Sequence, residues 1–475
     1  MIRKRAAGSE PRQRKCKLRR FTAAFLTLTL FFSFPAGAEA KSRQEEYIQV
    51  GLKYGSSAVN ECVLKSDDGF QVVNITEDGP EDTLPLPAYR EIVASVENGT
   101  IVIRDPDGTM LVSDMGTTGA LMPLDYEDGD GTVVYSGTEY RDGIRLTVYK
   151  GSAMNVINYI TMDHYLYGVI HGEMSQSYPL EALKAQAVVA RSFAGQNRTH
   201  AKDGFNVCST THCQVYKGFA GEYPKTTQAV DETAGEMMYS EGEIVQAFYF
   251  KNSGGHTQNS EDVWSAKEPY LRGVKDEYSP DYSWSATMTF EQIKSRLEAA
   301  NYSPGTIESV AITGHNSAGA VSELTVKGSG GTVTLKKESV RTVLGGSDIK
   351  STMFVLKNGS AGGSMAQTPD EIYATNGSST KKTGSTLYVL SSSGSANKTE
   401  IEDICITDGS STASADGAGK SGETVSIVTD GKVVFEGKGY GHGIGMPQDS
   451  AIKMAQEGMD YEEILEYFFT DIQIR

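Results

Sequence analysis

The stretch from Asp163 to Gly218 constrains this chain more than any other. It places one acidic residue, Glu173, just ahead of a helix, two cations on an otherwise apolar helix face, and a Cys/His cluster after it. Pro179 suits a first helical turn, because its missing N–H would be unpaired there in any case. Ser177 or Tyr178 would cap, and Gly195 is a stop signal, so a helix is predicted over 179–194. Leu180, Leu183, Ala187, Ala190 and Ala194 fall on one broad face, and Lys184 and Arg191 fall inside the same stripe. Two readings are open. The cations snorkel out along the edge of the stripe, or they line a cleft where a carboxylate or an anionic substrate neutralises them. Glu173 is the nearest acid before the helix.

Cys208, His212 and Cys213 lie within six residues, and His200 precedes them by eight. Thiolate and imidazole together are what tetrahedral zinc prefers. The spacing is not that of a standard finger or knuckle, and a Cys208–Cys213 disulfide closing a short loop is the rival reading, although it leaves His212 unexplained.

The first 20 residues carry nine Lys and Arg, Phe21 to Phe34 is uncharged and mostly apolar, and Ala36–Ala40 offers small residues for cleavage. Residues 1–40 are therefore expected to be a secretory signal peptide or an N-terminal anchor, and the mature chain to be exported to the extracellular or cell-wall side of the membrane. The apolar run is short for a spanning helix, which needs about 20 residues. Loss of these 40 residues would change the net charge from −17 to −24. So acidic a protein is a poor nucleic-acid binder, and a membrane is expected as a partner only through the anchor. Cys62, Cys208, Cys213 and Cys405 would remain, too few for a disulfide scaffold in a chain of this length. The state of Cys62 and Cys405 is left open.

The predicted fold is α+β: a β-rich region over 41–150, then a mixed domain over 151–475 with a long motif-bearing helix and a groove. IQVGLKY, FQVVNI, TIVIRD and TVVYSG alternate apolar and polar residues between turn formers, and GIRLTVYKG and NVINYITM carry the β pattern towards Glu173. A helix is expected around 289–300, where Thr289 and Gln292 form a capping box. Two more are expected near the C-terminus, the last opened by Asp460 and Glu463. Ser, Gly, Thr and Ala dominate a stretch read as an insertion at about 358–423, with TLYVL as a strand within it. Two Gly/His loops follow apolar β-like runs: Ser253-Gly254-Gly255-His256, and GKGYGHGIGM from Gly437 to Met446, which carries His442. The glycine spacing of the second matches neither a P-loop nor a dinucleotide fingerprint, which excludes nucleotides. Both loops are expected to converge on the Glu173 cleft and to position a polymer there.

Four ordered segments carry a resemblance: YLYGVIHGEM…PLEALKAQAVVARSFA, CSTTHCQVYKG, AFYFKNSGGHTQNSEDVW and GKGYGHGIGM. Together they resemble the stage II sporulation protein D (SpoIID)/LytB amidase-enhancer family over roughly residues 150–355 and 424–475. The chain departs from the family's Ser-Gln-Trp-Gly-Ala after Met446, where it has Pro447-Gln448-Asp449-Ser450-Ala451. The resemblance implies a lytic transglycosylase that remodels peptidoglycan, cutting peptide-stripped glycan strands to 1,6-anhydro-muramyl products during the engulfment stage of sporulation. It implies Glu173 as the catalytic acid/base. Lys184 and Arg191 match polar positions of the family's helix motif and are expected to meet the lactyl carboxylate of the muramyl sugar or protein acids beside the site, while His256 and His442, on the two Gly-rich loops, are expected as substrate-side residues. The resemblance also implies a structural zinc on His200, Cys208, His212 and Cys213. The sugar's own C6 hydroxyl is the nucleophile in that chemistry, so one Glu suffices if burial raises its pKa. Two rivals stand beside it: a non-catalytic glycan-binding module that activates a cell-wall amidase, and an open three-ligand zinc site that hydrolyses the amide itself.

Overall fold

The computed structural model describes residues 46–129, 131–361 and 426–475, with the backbone of six strands between Ile372 and Ser414. The leader read at 1–40 lies outside the described residues, as does most of the Ser/Gly-rich stretch. Its TLYVL segment is a strand, Thr386–Leu390, paired antiparallel with Ala396–Glu400. Among the described residues no helix is long and apolar enough to cross a membrane.

The architecture is α+β. The strands up to Thr161, joined by the short strand Val207–Cys208, form two sheets of seven and six strands. Leu64, Ile92, Ile101 and Ile103 from one sheet and Phe70, Leu121, Ile144 and Val156 from the other meet in a single core. The boundary expected at 150 falls in the turn between Gly143–Tyr149 and Ala153–Thr161, which are antiparallel neighbours in one sheet. Strand Tyr47–Lys53 pairs with Ala153–Thr161 on one side and in parallel with Val207–Cys208 on the other. The Cys/His loop is thereby tied to the sheet edge.

Where the β pattern was read as running on towards Glu173, the strand stops at Thr161 and a helix follows, α1 (Met162–Glu173). The Thr161 hydroxyl accepts from the His164 N–H and caps it. Met162, Tyr165, Leu166, Val169 and Ile170 are buried at the i, i+3, i+4, i+7, i+8 spacing of an amphipathic helix. Gly168 is required, since a Cβ there would stand 2.5 Å from the Tyr216 ring.

The predicted motif helix is α2 (Leu180–Gln196), with Pro179 at the cap. It is buried on two sides. Leu183, Ala187, Ala190 and Ala194 pack with α1, while Ala185, Val188 and Val189 pack against the C-terminal helices Gln448–Gln456 and Tyr461–Phe468. Its alanines let both layers approach closely. The capping boxes expected at Thr289/Gln292 and Asp460/Glu463 are both formed.

Residues 283–361 and 426–438 build a second β body, a five-stranded and a three-stranded sheet around Leu324, Val326, Phe354 and Phe435. Strand Lys432–Lys438 leaves it and runs through the second Gly/His loop into Met446–Pro447. That segment pairs in parallel with Tyr249–Phe250. This return brings residues 439–449 to the end of α1.

Candidate functional site

Glu173 is the last residue of α1 and is half-buried. Burial lifts its carboxyl above the ordinary carboxylate range. Hydrogen bonds from the Tyr249 hydroxyl, the Val215 N–H and the Gln448 amide oppose that rise without cancelling it. None of these groups is a second carboxylate. Behind Tyr249 runs a chain of donors. Tyr165, fully buried, donates to Gln214 Oε1 at 3.0 Å, and Gln214 Nε2 donates to the Tyr249 hydroxyl at 3.2 Å and to the Ala190 carbonyl at 3.4 Å. Burial first, then the Glu173 charge beside it, hold the Tyr249 phenol protonated. Tyr249 therefore serves Glu173 as a hydrogen-bond donor across the physiological range. Gln448 Nε2 also reaches the Glu173 carbonyl at 3.5 Å and Gln186 Oε1 at 3.3 Å. Sequence reading did not single out Tyr249, Gln214 or Val215. The available signal was the alternation of Tyr249 and Lys251 with Phe248 and Phe250 in a run taken as simply apolar.

The two Gly/His loops do meet. Asn252 and Tyr440 exchange backbone hydrogen bonds of 3.0 and 2.8 Å, and the Gln258 N–H donates to the Gly443 carbonyl at 2.7 Å. Contact this close needs glycine: a Cβ at Gly439 would stand 2.8 Å from the Asn252 carbonyl oxygen, and its φ of 78° is left-handed. Of the two histidines read as sugar contacts, His442 is spent on the protein. His442 Nε2 donates to the Tyr249 carbonyl at 3.2 Å and Nδ1 accepts from the Ile444 N–H at 3.1 Å, which fixes one neutral tautomer and uses both nitrogens. Burial pushes its pKa down to about 4. His442 is thus a spacer that sets the strand carrying Tyr249. His256 uses Nδ1 on the Thr257 carbonyl at 2.6 Å.

The two helix cations also have protein partners. Arg191 is 0% exposed. Its Nε and Nη2 reach Asp163 Oδ1 at 3.2 and 2.9 Å, and its remaining hydrogens reach the Glu236 and Val230 carbonyls. It clamps α2 to the start of α1 and is not an open substrate contact, because a buried guanidinium must keep such partners. Lys184 pairs with Glu232 at 2.6 Å and Glu181 at 3.0 Å and lies over the Tyr461 ring. Of the two expectations for these cations, protein acids describe what they touch. Asp449, where the family has Trp, pairs with Lys251 at 2.7 Å and accepts from Asn252 at 3.0 Å.

His200, Cys208, His212 and Cys213 gather into a cluster able to hold a metal ion, their ligand atoms all within 4.8 Å of one another. Both thiols are free, so the rival disulfide is not formed. Burial disfavours the Cys208 thiolate, but hydrogen bonds from Thr210 and His212 outweigh it and set the thiol at about 6, while burial pushes Cys213 up to about 11. Gln214 and Val215 follow Cys213 directly, so the cluster anchors two groups that act on Glu173 and its Tyr249 partner.

The stage II sporulation protein family model matches residues 150–239, the span holding Glu173 and the cluster, and a domain of unknown function matches residues 257–377. The chain is 30% identical over 310 residues to the amidase enhancer of Bacillus subtilis, a match covering 64% of this chain but only 39% of that protein's length. It is 25% identical to the stage II sporulation protein D of the same organism over 70% of this chain and 79% of that one. It is also 25% identical to an uncharacterized protein of Brachyspira hyodysenteriae over 82% and 87%. The GEM glutamate and the Cys/His loop thus lie within a stage II sporulation protein (SpoIID) domain, residues 150–239, in a chain similar to the SpoIID/LytB amidase-enhancer proteins.

Proposed function

We propose that this chain is an exported lytic transglycosylase that cleaves peptide-stripped glycan strands of the bacterial cell wall, in the remodelling that accompanies engulfment. The observation that carries the reading is Glu173 itself, a carboxyl raised by burial and held by donors from Tyr249, Val215 and Gln448. A carboxyl raised in this way can give its proton to the glycosidic oxygen as the C1–O bond breaks. Positive charge then develops at C1. The C6 hydroxyl of the same sugar attacks C1, its proton passes to the Glu173 carboxylate, and a 1,6-anhydro ring closes. Glu173 ends the cycle protonated, and no second carboxylate is needed to activate water, unlike a two-carboxylate hydrolase. Tyr249 stabilises the transient carboxylate by donating to it.

Zinc fits the cluster. Bonds of about 2.3 Å to sulfur and 2.0 Å to nitrogen put tetrahedral S and N ligands roughly 3.5 Å apart, and each thiol lies 3.7 Å from His212 Nδ1. His200 Nδ1 meets Asp203 at 3.2 Å, while Nε2 is buried with no protein partner among the described residues. That is how a metal-bound imidazole is oriented. Bound by four protein ligands, zinc would have a closed coordination sphere, so it would supply rigidity to the 208–216 loop and leave no position for hydrolysis.

Replacing Tyr249 with Phe tests the role given to that hydroxyl. The hydrogen bond lowers the Glu173 pKa, so its loss raises it. Cleavage is expected to fall about tenfold to a hundredfold, with the alkaline limb of the pH–rate profile moving to higher pH. An unmoved limb would remove Tyr249 from the mechanism.

The 30% identity to a protein named amidase enhancer supports a second reading, in which the chain binds glycan and activates a partner amidase. Amidase stimulation by Glu173→Gln separates the two. The enzymatic reading expects stimulation to fall with cleavage, and stimulation that survives intact favours the enhancer.

A further inference from the structure

A half-buried patch of aromatic rings and ammonium groups lies where the two Gly/His loops join, beyond Tyr249. Lys350 Nζ stands 5.3 Å from the Tyr282 ring centroid and 5.7 Å from that of Tyr440, and the two rings are 5.9 Å apart, tilted by 37°. Among the described residues Lys350 has no ion pair, and its closest polar contact is the Tyr282 hydroxyl at 3.5 Å. An ammonium so placed loses part of its hydration and gains only ring faces and one phenol in return. Among the described residues no carboxylate is paired with it.

The patch continues from the Glu173 site. Lys251 follows the Tyr249–Phe250 strand, and the next residue, Asn252, exchanges backbone hydrogen bonds with Tyr440. The three steps from Tyr249 to Asn252 span at most about 10 Å. Lys251 is bound to Asp449, the neighbour of Gln448, and feels both Tyr178, beyond the end of α1, and Tyr282. Groups within reach of one another thus run from Glu173 through Asp449 and Lys251 to Tyr282, Lys350 and Tyr440.

We propose that Tyr282, Tyr440 and Lys350 form a distal subsite for the glycan strand, its pyranose rings lying against the two tyrosines and a free sugar carboxylate meeting Lys350. Tyrosine rings offer the flat apolar face that a pyranose C–H face covers, and the ammonium selects a strand whose carboxylates are not masked by peptide. Because it rests on the glycan-cleaving reading, the subsite supplies that reading with a specificity: long, carboxylate-bearing, peptide-free strands.

The test uses the full chain carrying Glu173→Gln, so that binding is read without turnover. Purified peptide-stripped strands are sorted into long and disaccharide-length pools. The further substitutions are Lys350→Gln and Tyr440→Ala, with melting curves to confirm folding. Each is expected to weaken binding of long strands tenfold or more and to leave disaccharide binding unchanged. Long strands whose carboxylates have been reduced to alcohols should bind the Lys350-intact protein as weakly as native strands bind Lys350→Gln. Tyr440→Ala lies on a packed loop; if it melts early, Lys350→Gln decides. Equal affinity of folded Lys350→Gln and its parent for long strands overturns the subsite, as does failure of the parent to bind long strands at all. If binding behaves as expected but the chain with native Glu173 yields no anhydro ends, the cleavage reading fails and the subsite stands.

Discussion

Glu173→Gln is expected to abolish strand cleavage while leaving the fold intact. Positioned general acid–base groups are worth about 10²–10⁴-fold, and one group doing both jobs, as proposed, puts the loss at the upper end. The same substitution is expected to stabilise the protein above neutral pH. Burial raises the Glu173 carboxyl above its ordinary value of 4.5. Between that value and the raised one the folded state binds the extra proton, so stability falls as pH rises through the window. Glutamine has no such window. The two proteins should melt together at low pH, and the variant should melt higher under mildly alkaline conditions. A variant that is less stable there would show that Glu173 is not a destabilised buried acid.

Removing the metal is expected to have the second largest effect. Structural zinc in small domains is worth about 10–16 kcal/mol of apparent binding energy. Even a few kcal/mol lost from this larger chain would lower the melting temperature by roughly ten degrees, at 2–4 °C per kcal/mol. Cleavage should decline alongside, because Gln214 and Val215 are held by the same loop that carries Cys213. The product should not change, since no step passes through the metal. One zinc per chain is expected from metal analysis of protein purified without chelator. Its absence, with Cys208 and Cys213 oxidised to a disulfide, would contradict the assignment.

How much of this was legible in the sequence depended on distance along the chain. The α2 helix, both capping boxes and the Cys/His cluster are local patterns, written in spacing and cap chemistry, and they formed as read. Glu173 stood out by its motif. Its partners did not: Gln448 lies 275 residues away and reaches the site only because the second β body returns the chain through Gly439–Gly445. The α1 helix was missed because Ala153–Thr161 and Met162–Glu173 are both rich in buried apolar residues, and the change of period comes at Thr161 with no glycine or proline to mark it. That miss had a consequence. The acid that neutralises Arg191 is Asp163, in the first turn of α1. Without that helix, Arg191 reads as a snorkelling edge residue or a cleft cation, and not as a buried clamp. His442 shows the same limit, since only the fold reveals that both its nitrogens are spent on backbone groups.

The central claim is that one carboxyl cuts glycan without water. It is tested most directly by weighing the products that the purified chain releases from peptide-stripped strands. Transfer to the internal C6 hydroxyl leaves 1,6-anhydro-muramyl ends, each one water lighter than a hydrolysed end, and these ends are expected with native Glu173 and absent with Glu173→Gln. Ends bearing the full water mass, or anhydro ends released at an undiminished rate by a well-folded Glu173→Gln protein, would contradict the account.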